Sequence, residues 1–310
     1  MKIGIPRAML YYFYKDLWLN FFKNLGVETV LSPPSNKEIV KKGIANSIDE
    51  GCYSSKVFVG HVEYLLDKCD MIFVPRIENC ALREEYCTKV FGLYDLIRNT
   101  FPHAKLLNAN VNYIFLKREK NAFMDIGDKL GFTPEQTEKA YIDANTTAVQ
   151  LKEAAVEKQD ELLKSDKLKV LIVSHSYNTH DAAIGLDVVK YFEKNDIVVI
   201  HADVINEKKA FAKSREIYRR MYWKVSGTLL GGIETYKDAV DGIVLISTFP
   251  CMPDSIMNEL IVRTVKDKPI LSLMIDELDA TAGLVTRLES FTDILNARRK
   301  RDGRKNCSAS

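Results

Sequence analysis

Residues 241–263, DGIVLISTFPCMPDSIMNELIVR, indicate the fold class of this chain. Residues 242–246 are apolar and rich in β-branched side chains, which is typical of a strand buried inside a parallel sheet. Residues 255–262 have apolar side chains at helical spacing, which predicts a helix packed on that sheet. Pro253 suits the first turn of this helix, because its missing N–H would have no partner there. Cys251 therefore lies where a strand ends and a helix begins, which is where open α/β sheets bind ligands.

Strand and helix patterns alternate along the rest of the chain, which predicts an α/β fold with mainly parallel sheets. We expect two Rossmann-like domains with flanking helices and a cleft between them. The N-terminal α/β domain with its trailing helices covers residues 1–165, the C-terminal α/β domain covers residues 166–298, and residues 299–310 form a basic, disordered tail. Neither a GxGxxG dinucleotide fingerprint after a first strand nor a GxxxxGK[ST] phosphate loop occurs.

The composition is that of an ordinary globular protein, with 310 residues of which 46% are hydrophobic and 28% charged. The net charge of +2 gives no electrostatic argument for a nucleic-acid or membrane partner. No apolar run approaches the roughly 18 residues of a membrane span, and a strand-like segment stands where a signal peptide would begin. We therefore expect a cytoplasmic protein. In that reducing compartment its six cysteines are core residues, metal ligands or redox groups.

Three of the cysteines share one setting. Cys52, Cys87 and Cys251 each precede a predicted helix near the C-terminal edge of a sheet. A helix N-terminus favours a thiolate, and thiolates suit a soft metal or an iron–sulfur cluster. Core packing is the other interpretation of each one, because free cysteine is often buried. Cys80 lies in the same predicted loop as Cys87 and is the candidate for a fourth ligand, whereas Cys69 is predicted to be structural.

Several polar residues are candidates for the lining of the same cleft. His61 falls on the helix after Cys52, where it either lines the cleft or is a hydrogen-bonded histidine of that helix. His175 follows a strand at the edge where ligands bind. The candidate cleft residues are Lys56, His61, His175, Asp254 and Ser255. No HExxH motif and no Ser/His/Asp ordering stands out.

Several segments resemble a known family, in order and over about residues 1–297. They are the opening IGIPRAMLYYFYKDLWLNFFKNLGVETVLSPPSNKEI, the cysteine segments DEGCYSSKVFVGHV and VPRIENCALREEYCTKVFGLYDLIR, the loop SHSYNTHD, and DGIVLISTFPCMPDSIMNELI. These resemble the activase-associated proteins (CoA enzyme activase-related, DUF2229-type) of the 2-hydroxyacyl-CoA dehydratase superfamily. In the first cysteine segment, Lys56 and His61 match the family pattern. Two departures are Met252, where the family usually has Gly, and the additional Cys80.

The resemblance implies a cofactor and a partner. Cys52, Cys87 and Cys251 would hold a [4Fe–4S] cluster, or part of a double-cubane [8Fe–9S] cluster. A separate ATP-hydrolysing activase with its own iron–sulfur cluster would supply low-potential electrons for reductive or dehydration chemistry. The chain would then be a 2-hydroxyacyl-CoA dehydratase-like lyase or a component of an ATP-dependent reductase, acting on an acyl-CoA or another small molecule.

Two alternatives stay open at the level of sequence. One is a non-catalytic iron–sulfur accessory subunit for electron transfer, and the other is a cluster-free α/β binding protein. A homodimer or heterodimer is expected, because a cluster with three ligands from one chain could lie near an interface. No residue in the sequence identifies a substrate or a binding site for CoA.

Overall fold

The computed structural model describes residues 1–81, 84–219, 221–278 and 281–308. Its first sheet is parallel and has four strands in the order β2-β1-β3-β6. Three residues of the first strand are buried, as expected for an apolar segment covered on both faces. The strands are β1 (Lys2–Ile5), β2 (Glu28–Leu31), β3 (Met71–Phe73) and β6 (Leu106–Leu107).

The second sheet is also parallel and four-stranded, in the order β11-β10-β8-β9. Every residue of β10 is buried, which confirms the central strand predicted from the apolar run. The predicted α/β class with mainly parallel sheets is therefore confirmed. The strands are β8 (Lys169–Val173), β9 (Val198–His201), β10 (Gly242–Thr248) and β11 (Ile270–Ile275).

The two sheets share one topology that the sequence does not show as a repeat. Counted within each sheet, the spatial order of the strands is second, first, third, fourth in both cases. The direction of winding therefore reverses between β1 and β3 in the first sheet and between β8 and β10 in the second. Such switch points open a crevice at the carboxyl ends of the strands, where doubly wound proteins bind ligands.

Helices cover both sheets and continue beyond them. The longest in the first half, α7, begins with a capping box between Thr133 and Gln136 and has Pro134 at its first position. No helix within the described ranges is both long and apolar enough to cross a membrane. The helices are α1 (Tyr11–Asn24), α2 (Lys37–Ala45), α3 (Tyr53–Leu65), α4 (Thr88–Phe91), α5 (Leu93–Thr100), α6 (Glu119–Lys129), α7 (Pro134–Leu163), α8 (Ser176–Thr179), α9 (Leu186–Lys194), α10 (Glu207–Ile217), α11 (Lys224–Tyr236), α12 (Met252–Thr264) and α13 (Thr281–Ser308), with a 3₁₀ turn at Lys237–Ala239.

A small third sheet differs from the sequence-based expectation, which placed no strand in residues 77–89. It consists of β4 (Arg76–Ala81), β5 (Glu84–Glu85) and β7 (Asn110–Asn112), in the order β5-β4-β7. These strands have few apolar residues, and side-chain amides support them instead. Asn79 Oδ1 accepts a 2.7 Å hydrogen bond from the backbone N–H of Tyr113. Cys80 lies in β4 of this sheet, and Cys87 lies just after β5.

The C-terminal segment also differs from the expectation of a disordered tail from residue 299. Helix α13 continues to Ser308. The Arg298 guanidinium donates a 2.8 Å hydrogen bond to the carbonyl oxygen of Asp267, and that of Arg299 donates to the carbonyl oxygen of Asp166. These bonds attach the start of the basic segment to the second half of the chain. Residues 309 and 310 lie outside the described residues.

Candidate functional site

Two residues whose side chains can bind a metal lie at the switch point of the second sheet. His175 follows β8 and Cys251 follows β10, so both lie at the crevice between these strands. Cys251 is the N-cap residue of α12, as the sequence predicts, and its N–H donates a 2.8 Å hydrogen bond to the carbonyl oxygen of Thr248. The hydroxyl of Ser255 donates to the carbonyl oxygen of Cys251 at 2.8 Å. Ser255 therefore supports the first turn of α12.

Helix α3 brings Cys52 to the same edge. Cys52 is the N-cap residue of α3 and is 9% exposed. The first turn of this helix is hydrogen-bonded to the end of β10, to the residue after it and to α8, so the turn that follows Cys52 lies beside the one that precedes Cys251. The fastening contacts are Tyr53 N to Phe249 O (2.9 Å), Ser54 Oγ to Asn178 Oδ1 (2.7 Å) and Ser54 Oγ to Thr248 Oγ1 (2.9 Å).

Cys87 shares a small cavity with Cys251. It is the N-cap residue of the short helix α4. A cavity of about 20 Å³ is lined by Cys87 and Cys251, together with His175 and Tyr177. The structure therefore brings side chains from both halves of the chain around one small space.

The charges of these groups influence one another's pKa values. Burial raises the pKa of Cys87 to about 11, and the nearby Cys52 is the next cause. Burial, followed by the carboxylate of Asp254, raises the pKa of Cys251 far above its ordinary value, with Cys52 contributing again. The pKa of Tyr177 is also raised by burial first, and all three thiols add to the shift. The Tyr177 hydroxyl therefore lies within electrostatic range of Cys52, Cys87 and Cys251.

His175 and Asp254 lie beside Cys251. His175 Nε2 lies 2.8 Å from Asp254 Oδ1, and these residues are 6% and 0% exposed. Their ligand atoms and that of Cys251 lie within 4.8 Å of one another. The His175 ring stacks on Tyr177, with ring centroids 4.7 Å apart and 9° between the planes.

The polar atoms of this pair are poorly satisfied. The short contact lacks the alignment of a hydrogen bond, and within the described part of the chain neither ring nitrogen of His175 has a hydrogen-bond partner. A buried carboxylate is costly unless it is paired or coordinates a metal. With three thiols beside it, this donor set fits a soft or borderline metal centre.

Comparison with known proteins gives the family. Residues 2–205 match the family described as CoA enzyme activase uncharacterised domain (DUF2229). The chain belongs to this family. The matched region includes Cys52, Cys87 and His175, and Cys251 lies beyond it. No curated protein matches the chain.

Some solved structures are distantly similar to this activase-related chain. A crystal structure of ZnuA is 10% identical, covers 96% of this chain and 98% of its own, and gives a TM-score of 0.30. The protein FpvC from Pseudomonas aeruginosa in complex with Mn²⁺ is 11% identical, with coverages of 97% and 99% and a TM-score of 0.32. These likenesses are too low to carry an argument.

Lys56 and His61, also predicted for the cleft, each have polar side-chain partners in the activase-related chain. Lys56 lies on the first turn of α3 with its Nζ atom 2.9 Å from Glu277 Oε2. His61 is fully buried, and its Nδ1 and Nε2 atoms each lie 2.8 Å from a serine hydroxyl, those of Ser32 and Ser35.

The histidine network joins the two halves of the chain. Ser35 donates its proton to Asp181 at 2.6 Å, so it accepts from His61 Nε2, and Nδ1 in turn accepts from Ser32. Burial, and then the charge of Arg7, lowers the pKa of His61 to about 3. His61 is therefore a neutral, hydrogen-bonded core histidine, which was the alternative interpretation of its position.

Cys80, the predicted candidate for a fourth ligand, has a different environment. Its sulfur lies 3.8 Å from the Tyr14 hydroxyl, which is 2.8 Å from that of Tyr86. It lines a separate cavity of about 420 Å³ beside α1 and α7. Burial raises the pKa of Cys80, and the charged neighbours that modify this shift are Lys224 and acidic side chains rather than the other thiols. Cys80 thus lines a different cavity from the one that Cys87 and Cys251 line.

Proposed function

We propose that this activase-related chain is an iron–sulfur protein that takes low-potential electrons from a separate ATP-hydrolysing activase with its own cluster. Cys52, Cys87 and Cys251 would hold a [4Fe–4S] cluster, which supplies one-electron redox chemistry when bound. The observation that supports the proposal is that Cys87 and Cys251 line one cavity, while Tyr53, the residue after Cys52, is hydrogen-bonded to Phe249 just before the Cys251 turn. Thiolates are the protein ligands that such clusters use.

The residues around the thiols support this role. The N-termini of α3 and α12 carry partial positive charge, which favours thiolates bound to a cluster. Because the pKa values of Cys87 and Cys251 are raised, these thiols are protonated at neutral pH without metal, and iron binding releases their protons. The cavity of about 20 Å³ has room for about one water molecule, so cluster binding requires the loops of Cys87 and Cys251 to move apart.

The finer assignment follows the family resemblance. We propose membership of the 2-hydroxyacyl-CoA dehydratase superfamily and a cytoplasmic role in reductive or dehydration chemistry on an acyl-CoA or another small molecule. A homodimer or a heterodimer with a related subunit is part of this proposal. A non-catalytic accessory subunit for electron transfer is the alternative, and it uses the same thiols.

Anaerobic purification tests the proposal, followed by iron and sulfide analysis and absorption spectra before and after dithionite. We expect about four irons and matching sulfide per chain, with a broad band near ~400 nm that bleaches on reduction. Serine substitution of Cys52, Cys87 or Cys251 should lower the iron content, whereas the matched Cys69→Ser variant should keep it. About eight irons would indicate the double-cubane cluster.

Other metal contents would overturn the four-iron proposal. One metal ion per chain without sulfide would assign a mononuclear centre to His175, Cys251 and Asp254, whose ligand atoms already lie within 4.8 Å of one another. Absence of metal from cells competent in cluster assembly would favour the cluster-free binding protein.

A further inference from the structure

The proposed cluster site contains a nitrogen donor in addition to its three cysteines. A [4Fe–4S] cluster has four irons, and three thiolates leave one of them without a protein ligand. His175 lies beside Cys251 in the wall of the same cavity. It occupies the switch point of the second sheet, opposite Cys251 across the crevice between β8 and β10.

The His175 ring is held in one orientation, and one of its nitrogens is available as a ligand. Stacking on Tyr177 fixes the plane of the ring, and Asp254 lies 2.8 Å from Nε2. Nδ1 is also buried and has no hydrogen-bond partner in the described part of the protein. Histidines that bind metals commonly have a carboxylate near one ring nitrogen, which orients the ring and raises the basicity of the other.

We propose that His175 is the fourth protein ligand of this site and binds the remaining iron through an imidazole nitrogen, with Asp254 as the positioning carboxylate. The inference rests on the proposed function. Imidazole is an established iron ligand in clusters that otherwise use cysteine. Asp254 is 0% exposed at the start of α12, and its Oδ1 atom lies 2.8 Å from His175 Nε2.

This ligand set has a functional consequence. With Cys52, Cys87, Cys251 and His175 bound, all four irons have protein ligands. A substrate would reach iron only by displacing His175, so the resting site is closed. A closed site favours electron transfer over direct binding of substrate to the cluster. It therefore favours the accessory electron-transfer subunit over the form of the proposed function in which the chain itself acts on a substrate.

Pulsed EPR on the dithionite-reduced protein tests the inference, with histidine labelled by ¹⁵N in a parallel sample. We expect a nitrogen hyperfine coupling that changes with the label and disappears in His175→Ala, while about four irons remain because three thiolates still bind. The matched control, His103→Gln, removes an exposed histidine and should keep the coupling.

A second variant covers the case in which His175→Ala fails to assemble a cluster. His175→Cys keeps a ligand at this position, so it should retain about four irons, lose the nitrogen coupling and shift the reduction potential to a lower value, because a thiolate is more electron-rich than imidazole. A four-iron cluster without histidine coupling in the wild type, or a coupling that persists in both variants, overturns the assignment of His175 but leaves the proposed function. A protein without iron and sulfide overturns both.

Discussion

Replacement of His61 by glutamine should change how the stability of the protein depends on pH. The folded state holds the pKa of His61 at about 3, against 6.5 for the free side chain, because the ring is buried and Arg7 is near. Between these values the unfolded chain binds a proton that the folded chain does not bind. Stability from His61 is therefore complete above pH 6.5 and decreases as the pH falls toward 3.

The size of the effect follows from the shift. One pKa unit corresponds to about 1.36 kcal/mol, so the wild type should lose about 2 kcal/mol through His61 between pH 6.5 and pH 5. At pH 7, His61→Gln should cost about 1–3 kcal/mol, because at least one of the hydroxyls of Ser32 and Ser35 loses its partner. The difference in stability between the two proteins should therefore shrink by about 2 kcal/mol from pH 7 to pH 5.

Urea unfolding at pH 7 and at pH 5, followed by the fluorescence of the two tryptophans, measures this difference. His103→Gln is the matched control, because His103 is exposed and should give the same pH dependence as the wild type. A difference between wild type and His61→Gln that stays constant over this range would refute the burial of a neutral His61 in the network of Ser32, Ser35 and Asp181.

Three further substitutions test the elements that position the site, each by its urea unfolding midpoint at neutral pH. Gly60→Ala should destabilise the protein by about 1–3 kcal/mol, because the new Cβ would lie 2.0 Å from the carbonyl oxygen of Ile39 and would push α2 and α3 apart; an unchanged midpoint would contradict this close packing. Lys56→Met should lower the free energy of unfolding by about 1–3 kcal/mol, since it leaves the Glu277 carboxylate without its buried partner. A loss of the same size in 1 M salt would indicate a buried ion pair, whereas a smaller loss would indicate an ion pair that salt screens. Thr133→Ala should cost about 1 kcal/mol through loss of the capping box of α7, and no loss would show that this helix end is held by packing alone.

Local patterns in the sequence were sufficient for the main strands and for the positions of the thiols. The apolar run of β10 and Pro253 fixed Cys251 at the start of a helix, and Cys52 and Cys87 are N-cap residues as expected. These features depend on residues within one or two turns of each other, so periodicity and capping rules predict them.

The small third sheet could not be predicted in this way. Its strands β4, β5 and β7 are short and polar, and hydrogen bonds to residues distant in the sequence hold them, such as that from Tyr113 N to Asn79. Period-two hydrophobicity is the signal for a strand, and these segments lack it. For the same reason the sequence placed Cys80 near Cys87 but gave no sign that Cys80 lines a different cavity.

The sequence by itself determined the α/β class, the central strands and three cysteines that precede helices, because each of these follows from neighbours along the chain. Only the tertiary structure decided that Asp254 lies 2.8 Å from His175, that His61 belongs to a buried network with Asp181, and that Cys87 and Cys251 line one cavity. The physical reason is that two parallel sheets with the same winding order bring loops from distant segments to one edge, and no periodicity within a segment records which loops meet.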